Sequence, residues 1–190
     1  MEQRCVLIMK GSPRPQGNSA LLADRLAEGA REAGAEVESV YVHDMQIQPC
    51  QACNHCARHD GRCVVQDDMQ ALYPKITRAD ALVVVSPIYW YAVSAQTKLW
   101  IDRCYALVMD PRGDRTEGKD FGAILTYAQP DIESSGAVNA LGMLTDIFER
   151  GNLVGIVHGS AYHAGDVKRQ PALFDRAYDL GRRLGSDAVR

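Results

Sequence analysis

The longest hydrophobic runs of this chain fall far short of the roughly 20 apolar residues that cross a bilayer, so no membrane span is expected. Positive charge is not in excess: 21 Lys and Arg face 24 Asp and Glu, for a formal charge of −3. No basic stripe therefore recommends a nucleic-acid partner. A signal peptide is also missing, because the apolar segment within Met1–Lys10 meets a Gly/Pro turn instead of a cleavage site. The chain has neither internal repeats nor low-complexity segments. It holds no G-x-G-x-x-G dinucleotide fingerprint, and Asn18 stands where a Walker loop would carry lysine. Nucleoside triphosphate hydrolysis is thereby disfavoured.

What is present suits one globular domain over residues 1–190, with 46% hydrophobic and 24% charged residues. Six cysteines without a secretory signal point to a reducing cytoplasm, where clustered thiols serve as metal ligands or redox groups more often than as disulfides. Apolar runs of strand length alternate with helix-period segments. Cys5–Met9, Val37–Val42, Ala81–Val85, Phe121–Tyr127 and Leu153–His158 read as five strands. Between and after them, helical spacing links Leu22, Leu26, Ala30 and Ala33, with Gly34 as the stop. The same spacing links Met69, Leu72 and Ile76, capped by Asp67 or Asp68, then Trp100, Ile101, Cys104 and Leu107. Ala137, Leu141, Leu144 and Phe148 make a further helix, and Leu173, Ala177, Leu180 and Leu184 a closing one. Five β–α units in succession predict an α/β fold: a doubly wound five-stranded parallel sheet with helices on both faces. Such sheets bind ligands beyond the carboxyl ends of their strands.

Two loops fall at that edge with suggestive chemistry. Gly11-Ser-Pro-Arg-Pro-Gln-Gly-Asn-Ser19 follows the first strand and opens a helix. Gly11 and Gly17 allow a tight turn and a close approach to an anion. Ser12, Arg14, Asn18, Ser19 and the unpaired N–H groups of the helix start are donors that a terminal phosphate, as in FMN, requires. After the third strand comes Ser86-Pro-Ile-Tyr-Trp-Tyr91, where Pro87 sets a rigid turn and Tyr89 and Trp90 offer aromatic surface to a flat ring.

A third loop gathers Cys50, Cys53, Cys56 and Cys63. Two-residue spacings allow three thiolates to wrap an iron–sulfur cluster and the fourth to swing back. Zinc comes second, since zinc sites more often show two separated C-x2-C hairpins. A reduced thiol group or a disulfide is the remaining alternative, and the spacing leaves all three open. His55 and His59 read as solvated neighbours, and Cys5 and Cys104 as core residues.

Taken together, Gly11-Ser-Pro-Arg14…Gly17-Asn-Ser19, Ser86-Pro-Ile-Tyr-Trp90 with Ser94–Arg103, and the cysteine loop leading into Asp67-Asp68 resemble the NADPH-dependent FMN reductases of the flavodoxin-like superfamily, and within them the iron–sulfur flavoproteins. The resemblance runs from Cys5 to the final helix. It implies the strand order 2-1-3-4-5, an FMN phosphate held by Ser12, Arg14, Gly17, Asn18 and Ser19, and an isoalloxazine bordered by Pro87, Ile88, Tyr89 and Trp90. Tyr127 and its neighbours would close the far side. It further implies a [4Fe-4S] cluster on Cys50, Cys53, Cys56 and Cys63, and a homodimer or homotetramer. The function that follows is electron transfer from NAD(P)H through FMN to a quinone, another small acceptor or a redox protein, without a protein acid–base pair. The alternative is a flavodoxin-like electron carrier that does not itself oxidise NAD(P)H.

Overall fold

The computed structural model describes residues 3–136, 139, 140 and 151–186. In chain order the elements are β1 (Cys5–Lys10), α1 (Asn18–Glu32), β2 (Glu36–Tyr41), α2 (Met69–Arg78), β3 (Ala81–Tyr89), β4 (Ala92–Val93), α3 (Ala95–Arg103), α4 (Tyr105–Val108), β5 (Asp120–Tyr127), α5 (Ile132–Ser135), β6 (Asn152–Ser160) and α6 (Pro171–Gly185). The helix expected on Ala137, Leu141, Leu144 and Phe148 lies outside the described residues.

The parallel sheet runs β2-β1-β3-β5-β6. This is the expected 2-1-3-4-5 order once the two-residue β4, which pairs only with β3, is set aside. The unbroken apolar strands follow from burial on both faces. Along β1, Cys5, Leu7 and Met9 enter a core with Met69, Leu72, Trp100 and Leu107 of the α2–α4 side. Val6 and Ile8 enter the other core with Leu22 and Leu26 of α1 and Leu180 and Leu184 of α6. On that second face the helices α1 and α6 approach through glycine. A Cβ on Gly181 would lie 2.0 Å from Leu26 O, and one on Gly29 2.2 Å from Tyr178 O. No helix among the described residues is long and apolar enough to cross a membrane.

One boundary differs from the sequence reading. The third strand does not stop at Ser86-Pro87 but continues to Tyr89, pairing with β5 as far as Pro87 and then with β4. Proline is tolerated because β1 leaves β3 after Lys10 opposite Val85. The reversal falls instead at Trp90 and Tyr91, which hold φ of 49° and 66°. A two-residue hairpin turn needs such left-handed backbone and usually takes Asn-Gly for it. Two aromatic residues there are strained, and no turn propensity announces them.

Candidate functional site

The loop after β1 is shaped by its own polar groups. Ser12 Oγ accepts the Arg14 N–H at 3.1 Å, and the Gly17 N–H donates to Arg14 O at 3.0 Å. Gly17 is the cap residue of α1, with no side-chain capping bond and no acidic residue in the first turn. The first N–H groups of a helix lack intrahelical partners, so this end presents an uncapped positive dipole. Ser12 and Ser19 are buried beneath it, whereas Arg14 is exposed and pairs with no carboxylate among the described residues.

Beyond the carboxyl ends of β1, β3, β5 and β6 lies a cavity of about 370 Å³. Ser12, Arg14, Gly17, Asn18 and Ser19 line one end, and Pro87, Ile88, Tyr89 and Tyr127 line the rest of the expected wall. Trp90 alone of the expected cofactor residues is not part of the lining; at 93% exposure it stands at the hairpin tip in solvent. Ser86, fully buried, fixes the base of that hairpin by accepting the Ser94 N–H at 2.9 Å. Ser94 in turn caps α3 and donates to Gly11 O at 2.6 Å, so the two loops are held to each other. Tyr127 lies 2.9 Å from His158 Nδ1 through its hydroxyl. Burial raises the phenol, and burial followed by the Arg176 guanidinium lowers the imidazole. Both shifts favour the neutral forms of the phenol and the imidazole.

The sequence reading missed one wall. Ala161, Tyr162, His163 and Ala164, just after β6, also line the cavity. The available signal was an aromatic pair, Tyr162-His163, at the carboxyl edge of the last strand. Asn18 reaches that wall: its Nδ2 donates to His163 O at 2.9 Å and Ala161 O at 3.4 Å, and its Oδ1 accepts the Val167 N–H at 3.4 Å.

The family model described as NADPH-dependent FMN reductase matches residues 5–165. The chain belongs to the NADPH-dependent FMN reductase family. It is 38% identical over 98 residues to an iron–sulfur flavoprotein of Methanocaldococcus jannaschii, covering 52% of this chain and 50% of that protein. To a Bacillus subtilis protein named as an NAD(P)H-dependent FMN-containing oxidoreductase it is 27% identical over 193 residues, covering 97% and 99%. The fold is also that of the NAD(P)H:quinone oxidoreductase from Methanothermobacter marburgensis, with a TM-score of 0.70, 19% identity, and coverage of 96% and 100%. The chain spans about half the length of the iron–sulfur flavoproteins that it matches most strongly.

The cysteine loop packs against the α2–α4 side of the sheet. Cys50 and Cys53 are exposed, Cys56 is buried and Cys63 is half-buried. Cys56 packs in the same core as Met69 and Leu107, and burial raises its thiol. Among the described residues no group of three or more His, Cys, Asp or Glu is placed to hold a metal. Cys56 lies close enough to Cys63 and Cys50 for both to raise its thiol further, while Cys50 and Cys53 stand open to solvent. Protein groups organise the loop around them. The buried Arg103 donates to Gln48 O at 2.9 Å on one side of the loop and pairs with Asp67 at 2.6 and 3.1 Å on the other. Asp67 also accepts the N–H groups of Gln48 and Met69. Burial works to raise that carboxyl, but the Arg103 and Gln48 hydrogen bonds outweigh it and leave Asp67 below its ordinary value.

Proposed function

We propose that this chain is an FMN-dependent oxidoreductase that takes electrons from NAD(P)H and passes them to a quinone or another small acceptor. The observation that carries this reading is the cavity at the carboxyl edge, with anion donors at one end and apolar, aromatic walls at the other. FMN fits the residues present. Ser12, Arg14, Ser19 and the first N–H groups of α1 would hold its phosphate. Gly17 serves there by lacking a side chain, since a Cβ would come within 3.0 Å of Ser12 Oγ and 3.1 Å of Arg14 O. Pro87, Ile88 and Tyr89 would border the isoalloxazine, and Thr126, Tyr127 and Ala128 would close the far side. Ile88 and Tyr127, both buried, exclude water from that end. Bound FMN supplies acceptance of two electrons from a nicotinamide and their release to an acceptor. No charged side chain in the ring end of the wall is needed as acid or base. The reading includes a homodimer or homotetramer, supported by the exposed Tyr89, Trp90 and Tyr91 beside the cavity. No step is assigned to a cluster on the cysteine loop.

The test is anaerobic purification, followed by assay of released FMN, iron and sulfide, and of NADH and NADPH oxidation with a soluble quinone. Turnover that requires FMN supports the reading. Turnover only after addition of a separate reductase makes the protein an electron carrier, and failure to bind FMN overturns both. About four irons per chain would mean that the cysteine loop holds a cluster.

A further inference from the structure

We infer that Asn18 is a positioning residue that latches the segment after β6 across the cavity, and that its side chain does not read the phosphate. The inference rests on the FMN reading for the identity of the ligand. An asparagine amide has two N–H donors, and here both are directed at carbonyls of the opposite wall, His163 O and Ala161 O. Its oxygen meets the Val167 N–H. The other contacts of this wall act within it or toward its base. Asp166 accepts the N–H groups of Tyr162 at 3.1 Å and His163 at 2.7 Å. Gln170 donates to Ser160 O at 2.8 Å, and the Ala161 N–H donates to Tyr127 O at 2.6 Å. Among the described residues, Asn18 is thus the side chain whose hydrogen bonds join the wall to the start of α1. Ala161 and the buried Val167 rest on the core shared with α1, but between them Tyr162 is 70% exposed and His163 is exposed, so the latch is what fixes this stretch against the loop after β1. Asn18 opens α1 and His163 follows β6, so the bond between them joins two walls of the cavity.

A phosphate donor and a latch leave different marks. Loss of a phosphate donor weakens FMN and spares riboflavin, which lacks the phosphate. Loss of the latch weakens both by the same factor, because the wall faces whatever occupies the cavity. Dissociation constants for FMN and riboflavin should be measured by flavin fluorescence for the wild type, Asn18→Ala, Asp166→Ala and Arg14→Ala. Asn18→Ala and Asp166→Ala are expected to weaken both flavins by about tenfold, leaving the FMN-to-riboflavin preference within about twofold of wild type. Arg14→Ala is expected to reduce that preference by at least about tenfold. If Asn18→Ala reduces the preference as Arg14→Ala does, the latch is wrong. A wild type that binds riboflavin as tightly as FMN would sink the FMN-phosphate reading instead. The latch has a ligand-free test as well: amide hydrogen exchange in residues 161–167 should accelerate in Asn18→Ala, and unchanged exchange there overturns it.

Discussion

The cavity and the cysteine loop are built in opposite ways. The cavity draws its lining from four loops that are far apart in sequence and meet only because β1, β3, β5 and β6 end at one edge of the sheet. The cysteine loop concentrates its chemistry within 14 residues, Cys50 to Cys63, yet its thiols divide between solvent and core. Closeness along the chain places groups within reach of one another, but side-chain direction depends on what packs beneath them. Below Cys56 lies a hydrophobic core, and it takes the thiol. Below the phosphate loop lies the capped start of α3, which holds the backbone open toward the cavity.

The strongest way to break this contrast is to cut the clamp that shapes the cysteine loop. Arg103→Met leaves Asp67 buried without its partner, and stability should fall by about 3–5 kcal/mol in urea titrations. Asp67→Asn, which keeps an acceptor, should lose less. In the folded Asp67→Asn protein, alkylation of Cys56 and Cys63 should accelerate. Cys104, whose thiol burial pushes up to about 12, should stay inert and report that the rest of the core is closed. Equal protection of Cys56 and Cys63 would show that the clamp does not shape the loop.

The converse change strikes the cavity alone. Arg14→Ala should weaken FMN by roughly 10- to 100-fold and leave the urea midpoint and the alkylation rates where they are. A change in Cys56 reactivity would instead couple the two regions through α3, which touches Gly11 at its start and the cysteine loop at its end.

A pH titration separates the regions more gently. The folded protein holds His158 neutral, with its pKa below the ordinary value. Its stabilising contribution is complete above the ordinary histidine value of about 6.5 and is lost as pH falls through the lowered one. The melting temperature should therefore decline as pH drops below about 6.5, with a slope of at most about 1.4 kcal/mol per pH unit. His158→Asn should remove that limb, and an unchanged profile would place the titrating group elsewhere. The smallest effect is expected at the hairpin. Trp90→Asn with Tyr91→Gly gives the turn the residues its backbone favours and should stabilise the monomer by about 1 kcal/mol. The same variant should weaken self-association in sedimentation, and undiminished association would remove the aromatic tip from the interface.

Most of this fold was legible because unbroken apolar strands and helix-period stretches are local signals of a sheet buried on both faces. The turn that leads from β1 into α1 was legible for the same reason: Gly11, Ser12, Gly17 and Ser19 are consecutive enough to act as one unit. Asn18 lines the cavity, but its partners arrive more than 140 residues later, and no spacing rule reaches that far. The hairpin was hidden because Trp90 and Tyr91 contradict turn chemistry, and that conflict drew the expected turn back to Pro87. The cysteine spacing puts the thiols on one loop, but nothing local in it tells that the core takes Cys56 while Cys50 and Cys53 stay in solvent.

The glycine contact between α1 and α6 bears on the order in which the protein can be made. A ribosome releases α1 long before α6, so the helix that opens the cavity waits for its packing partner until nearly all the described chain has emerged. The segment that Asn18 latches is equally late. Until then the apolar side of α1 that will meet α6 has no native cover, and a pause in translation before residue 161 would leave a nascent chain with a phosphate loop but no far wall, a natural client for a chaperone.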